Sequence, residues 1–156
     1  MVPVVHFPPS ASRDAAASIV RTLREAGYEA WFVGGCVRDA WMGENPSDYD
    51  IATSAPPDAV VEMFEQTVAV GAQFGVVLVI WDHIPVEVAT FRTDSDYTDG
   101  RRPGQVRFAT AEEDVQRRDF TINGLLADPF NGHVLDFVGG IADIQAGCIR
   151  CIGNPY

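Results

Sequence analysis

At 156 residues the chain is long enough to bury most of its apolar surface in one domain. It is 47% hydrophobic, 21% charged and 10% aromatic, the composition of a folded protein and not of a disordered one. Twenty-two acidic residues outweigh eleven basic ones, all of them arginine, for a net charge of -11. A domain that held a phosphate backbone alone would carry a basic excess, so this balance excludes self-sufficient nucleic-acid binding.

The N-terminus has neither a basic start nor a sustained apolar run, and the longest apolar stretch, residues 76–81, is far below the roughly 20 residues needed to span a bilayer. No signal peptide or membrane segment is expected, and a cytoplasmic location is the default. Three cysteines make no disulfide framework.

In chain order, Ala16, Ile19, Val20 and Leu23 recur at helical spacing, so residues 12–26 are predicted helical, closed by Pro8-Pro9 before and Gly27 after. Residues 31–33 form a short buried strand that runs into Gly34-Gly35. Residues 37–42 form a short helix that ends at Gly43 and Asn45-Pro46, and 49–53 a strand. Pro56-Pro57 starts a helix with Val60, Val61 and Phe64 on its buried side. Residues 76–81 and 84–92, joined by Asp82-His83, read as a β-hairpin. The polar loop 93–104, with two glycines and a proline, is expected to be mobile. A helix follows at 111–118, then strands at 125–127 and 133–137 around Asn131-Gly132, a helical turn after Gly140 and a last strand at 148–152. The irregular alternation with a hairpin argues for an α+β domain with a mixed sheet, not a doubly wound parallel one.

Alternate side chains of a strand share a face, so Asp48 and Asp50 point one way, their Cα atoms about 7 Å apart, while Tyr49, Ile51 and Thr53 enter the core. Two converging carboxylates suit Mg²⁺, although Asp-x-Asp alone is more often a solvated strand end. Gly34-Gly35 lies between a strand and a helix, where backbone N–H groups can face an anion, and Arg38 one turn later reaches the same anion. Taken alone, these are also a tight turn and a surface arginine. Glu87 is on the face of its strand opposite Ile84, Val86 and Val88. Beside the Asp48–Asp50 strand it would complete an acidic cluster for two-metal phosphoryl transfer; otherwise it is an exposed edge residue. Cys148-x-x-Cys151 is half a zinc motif without a second pair, and His6, His83 and His133 are scattered near turns. Trp31, Phe32 and Phe91 are assigned to the core.

Together the motifs are specific. Phe32-Val33-Gly34-Gly35-Cys36-Val37-Arg38-Asp39, then Asp48-Tyr49-Asp50-Ile51-Ala52-Thr53, resembles the signature of the bacterial tRNA nucleotidyltransferase and poly(A) polymerase family, within the DNA polymerase β nucleotidyltransferase superfamily. Val86-Glu87-Val88-Ala89-Thr90-Phe91-Arg92, Asp99-Gly100-Arg101-Arg102-Pro103 and Arg117-Arg118-Asp119-Phe120-Thr121-Ile122-Asn123-Gly124 follow in the family's order. The resemblance implies a polymerase β-type fold with a mainly antiparallel sheet and helices on it. It implies Mg²⁺ ligation by Asp48 and Asp50, with Glu87 as third carboxylate, and nucleotide contacts from Gly34, Gly35 and Arg38. It also implies that Arg118 and Asp119 hold the nucleotide and read its ribose, although Asp119 also suits a helix cap, and that Asn123 acts behind them.

The implied activity is template-independent addition of CMP or AMP, from CTP or ATP, to an RNA 3′ end, with tRNA as the expected RNA. A poly(A) polymerase, or a nucleotide-binding module without catalysis, shares these motifs. Family members continue past the Ile152-Gly153-Asn154-Pro155 segment into helical neck, body and tail domains. Residues 1–156 are therefore expected to be the head alone, with the tRNA-gripping surface outside it, which accounts for the acidic charge.

Overall fold

The structure is a computed structural model that describes residues 3–71, 75–93, 107–108, 110–116 and 123–152. Its first helix, α1 (Ala11–Glu25), is capped by Ser10, whose hydroxyl accepts the Arg13 N–H at 3.0 Å. The helix buries Ala15, Ala16, Ile19, Val20 and Leu23 and ends before Gly27, whose φ of +95° ends the helical backbone. There follow β1 (Ala30–Val33), α2 (Gly35–Trp41), β2 (Asp50–Thr53), α3 (Pro57–Met63), β3 (Thr67–Gly71), β4 (Val76–Trp81) and β5 (Ile84–Thr90). The short strands β6 (Arg92–Thr93) and β7 (Arg107–Phe108) pair with each other; α4 (Ala111–Gln116), β8 (Leu125–Ala127), β9 (Val134–Asp136) and α5 (Gly140–Ala146) complete the order.

Seven strands form one sheet in the order β3-β4-β5-β2-β1-β8-β9. Among the described residues its neighbours pair antiparallel except β2 and β5, which run parallel. The mixed, mainly antiparallel sheet expected from the sequence is the one observed. No helix among the described residues is long and apolar enough to cross a membrane.

The sheet is covered on both faces. One cluster joins α1 to Phe32, Tyr49, Ile51, Val77, Val79, Val86 and Val88; a smaller one on the opposite face joins Val33, Ala52, Phe91 and Leu126 to Ala111 and Val115 of α4. Strand alternation produces the split: Ala30 and Phe32 face α1, while Trp31 and Val33 face α4. Phe32 and Phe91 are core residues as expected, and Trp31 is partly buried against the second cluster. His6, His83 and His133 are exposed.

Several expectations need correction. Residues 148–150 form no strand and only Cys151 makes an isolated bridge, with Ile149 72% exposed; among the described residues none of the sheet's strands pairs with them. Val61 is exposed, since the seven-residue α3 turns Pro57 and Val60 inward and has no second buried stripe. Not expected from the sequence is β3, an edge strand with a register shift between Val68 and Gly71. Nor is the role of the N-terminal segment, which pairs at Val4 with His133 and sends Val5 and Phe7 into the core. The loop 93–104 lies, after Thr93, outside the described residues.

An ion pair ties α1 to the β8–β9 turn. Arg24 Nη1 donates to Asp128 Oδ2 at 2.7 Å, while Asp128 Oδ1 accepts the Phe130 and Asn131 N–H groups at 2.7 and 3.2 Å. Burial alone would raise the Asp128 pKa, but the Arg24 and backbone donors outweigh it and hold the carboxyl below its usual value. The resulting stability is complete above the unfolded carboxylate value near pH 4 and is lost as pH falls through the depressed folded value. Asp128→Asn keeps an acceptor for the turn but loses the charge. It is expected to cost about 1–2 kcal/mol at pH 7 and to flatten the decline below pH 4. Urea denaturation from pH 2.5 to 7 measures both; an acid limb as steep as the unsubstituted protein's would remove Asp128 from the account.

Candidate active site

The site forms where the second hydrophobic cluster gives way to polar side chains. Val33, the last residue of β1, is the register partner of Asp50, the first of β2, and Asp50 is in turn the register partner of Glu87 on β5. Direct partners project from the same face, so these three side chains form a row across three strands spaced about 4.8 Å apart. Val33 is buried and belongs to the α4 cluster, whereas Asp50 and Glu87 are exposed. The row therefore passes from core to solvent at the two carboxylates.

Asp48 lies in the loop before β2, not within the strand, and is exposed. Between the two aspartates Tyr49 turns inward, where its ring meets Phe32 at 4.9 Å and Phe7 at 6.0 Å. Ile51 and Thr53 are buried as expected; Ala52 is buried too, because α4 covers the face that alternation alone would leave open. Thr53 and Thr90 lock the far end of the parallel pair. Thr90 Oγ1 donates to Ala55 O at 2.6 Å, and the Phe91 N–H donates to Thr53 O at 2.8 Å, which fixes the register that sets Asp50 against Glu87.

The Gly34-Gly35 turn sits at the same end of the sheet. Gly34 has φ +76°, a conformation that favours glycine, and its N–H donates to Leu125 O on β8 at 3.2 Å. Gly35 opens α2, and a Cβ there would meet the Arg38 guanidinium at 3.4 Å. Arg38 thus folds back over the glycine. Its Nε and Nη2 donate to Asp39 Oδ1 at 3.1 Å each, and its Nη1 donates to Asn123 Oδ1 at 2.8 Å. Asn123, expected behind the site, accepts this hydrogen bond from Arg38.

Cys36 lies beneath this turn, its Sγ donating to Val33 O at 3.4 Å. Burial pushes its thiol up to about 12, against the smaller opposing effect of the Asp50 backbone N–H, so it stays neutral at pH 7. It is a packing residue and not a nucleophile. Arg118 and Asp119 lie outside the described residues.

The donors present are hard carboxylate oxygens, of the kind that bind Mg²⁺ through one or two protein ligands and complete its shell with water and phosphate. Asp50 and Glu87 fit that description as adjacent exposed carboxylates, with Asp48 in the loop beside them. Among the described residues no three Asp, Glu, His or Cys side chains form a group that would hold a metal unaided. The set suits an ion that completes its shell with water or phosphate oxygens.

Known proteins resemble this chain over most of its length. The model of the poly A polymerase head domain matches residues 30–150. CCA-adding enzymes of Bacillus subtilis and Bacillus pumilus are 49% and 50% identical over 141 residues, 90% of this chain and 35% of each relative. The crystal structure of Bacillus stearothermophilus CCA-adding enzyme in complex with CTP superposes with a TM-score of 0.82 at 38% identity, covering 93% of this chain and 34% of that one. The chain thus spans about a third of the length of the relatives it matches.

Proposed function

Because the chain belongs to the poly A polymerase head domain family, we propose that it is the catalytic head of an RNA nucleotidyltransferase that adds CMP and AMP to a tRNA 3′ end. The observation that carries this reading is the Asp50–Glu87 carboxylate pair beside the Gly35–Arg38 turn. The proposal extends to the whole protein's substrates, CTP, ATP and RNA, and leaves the grip on RNA to parts beyond this acidic head.

Enzymes of this family generally use divalent metals. Asp48 and Asp50 would hold Mg²⁺, with Glu87 as the third carboxylate. Bound there, the ion supplies Lewis acidity that lowers the pKa of the RNA 3′-hydroxyl and offsets charge on the triphosphate. The chain's own residues do the rest. Gly34 and Gly35 leave the approach to α2 clear of side-chain carbons, and Arg38 presents a fixed cation to the phosphates. Arg118 and Asp119 are proposed to hold the nucleotide, a carboxylate at Asp119 accepting from the ribose 2′-hydroxyl. No covalent enzyme intermediate is needed, which agrees with the neutral, buried Cys36.

The test is addition to a tRNA transcript that lacks its last three nucleotides, with Mg²⁺ and CTP, ATP or both. Ordered addition of C, C and A is the expected result. The family's name also favours a second reading, addition of AMP alone to RNA ends, and a tail grown from ATP without CTP would select it. Incorporation of neither nucleotide by the protein in its full length would sink both.

A further inference from the structure

We infer that Asn123 is a positioning residue, whose side-chain carbonyl fixes the Arg38 guanidinium over Gly35 so that its remaining N–H groups meet the phosphates of a nucleoside triphosphate. The inference rests on the proposed contact between Arg38 and the nucleotide, and adds what makes that contact effective.

Arginine carries five N–H donors in a planar fork. In this structure Asp39 Oδ1 takes one from Nε and one from Nη2, and Asn123 Oδ1 takes one from Nη1. Two donors remain on the guanidinium for a ligand. Asp39 is the next residue in the chain and shares any motion of α2. Asn123 is 85 residues away, two positions before β8, so among the described residues it ties the guanidinium to the sheet. The backbone beside it is closely packed. At the neighbouring Gly124 a Cβ would lie 2.9 Å from Val138 and 3.0 Å from Val115, so the backbone is pressed against the packed face of α4. One residue further, Leu125 O accepts the Gly34 N–H. Residues 123–125 therefore grip the Gly-Gly turn twice, once by its backbone and once through Arg38. The Arg38 side chain is 32% exposed, enough to meet a ligand and buried enough to be held in one place. Pre-organisation of this kind removes the cost of ordering a long side chain when the phosphate arrives.

The test is a double-mutant cycle on binding of CTP and of cytidine, each with Mg²⁺, followed by calorimetry. Asn123→Ala is expected to weaken CTP about tenfold with Arg38 present and to change nothing further in the Arg38→Ala background. Cytidine, which lacks phosphates, is expected to bind all variants alike. Asn123→Asp, which keeps an acceptor and with it the local packing, adds a charge that competes with phosphate for Arg38. Because that charge also repels the triphosphate directly, Asn123→Asp serves only as the folding control, read by unchanged cytidine binding, and the cycle is judged on Asn123→Ala. An equal loss in both backgrounds, or a loss of cytidine binding, overturns the inference and makes Asn123 a structural residue. CTP affinity unchanged by Arg38→Ala would instead overturn the proposed nucleotide contact itself.

Discussion

Asp50→Ala is expected to lower nucleotide addition by about 10³-fold or more while leaving the fold intact, the largest effect of any single substitution at the site. The two halves of that expectation have separate causes. Asp50 is exposed at the first position of β2, with its backbone in register against Val33 and Glu87, so removing its carboxylate opens no cavity. Changes at exposed positions usually fall within about 0.5 kcal/mol. The chemistry, in contrast, has few substitutes: of the exposed carboxylates in this region, Asp50 is the one that is both opposite Glu87 and two residues from Asp48.

A second measurement separates metal binding from other roles. Anything that binds only the native state raises stability by mass action. Mg²⁺ with CTP should therefore raise the unfolding temperature of the unsubstituted protein and much less that of Asp50→Ala. Retained activity, or an equal thermal shift in both proteins, would remove Asp50 from the proposed metal site. Glu87→Gln is a milder case, since Gln keeps an oxygen ligand of the same reach, and its loss should be smaller.

How far the site could be read from sequence depends on the distance between its parts. The Gly34-Gly35 turn, Arg38 and the Asp48–Asp50 pair lie within seventeen residues, and local rules locate them: a buried strand, glycines, a short helix, a second strand. Glu87 could be assigned to the correct face of its strand from alternation alone. That its strand lies beside β2, and parallel to it, depends on β3 and β4 forming the sheet's outer half, which no local pattern states. The family resemblance supplied that expectation. The Arg38–Asn123 bond was invisible for the same reason: a side-chain contact across 85 residues has no period. Strand 148–152 failed in the opposite way. Its residues suit a strand, but among the described residues tertiary context gives them no pairing beyond one bridge.

The N-terminal segment shows most plainly what sequence could not give, and it sets the second large effect. Gly132→Ala is expected to cost about 3–5 kcal/mol. Gly132 has φ +74°, which an alanine adopts only at a cost of about 1–2 kcal/mol. That alone would be a modest penalty. The decisive term is steric, because a Cβ at this position collides with the backbone oxygen of Val5. No rotamer relieves a clash with main chain, so residues 3–7 must move away. Moving them breaks the bonds from Val5 N to Gly132 O (2.8 Å) and from Val134 N to Pro3 O (2.9 Å). It also loosens Phe7, which packs edge-on against Phe32 at 5.1 Å and reaches Tyr49 at 6.0 Å. Two hydrogen bonds at about 1 kcal/mol each and partial loss of one buried aromatic make up the rest.

Gly139→Ala is the control. Its φ of +80° imposes a similar conformational cost, but an added Cβ there meets nothing within 4 Å. It should lose about 1 kcal/mol and Gly132→Ala several times that, a fall in unfolding temperature on the order of 10 °C. Equal losses in the two variants would show that the N-terminal segment yields without cost and is not part of the core. Tyr49 stands between Asp48 and Asp50, so a looser Phe7 also loosens the anchor of both carboxylates. Catalytic activity of Gly132→Ala should accordingly fall at temperatures below its unfolding transition, where Gly139→Ala retains its own.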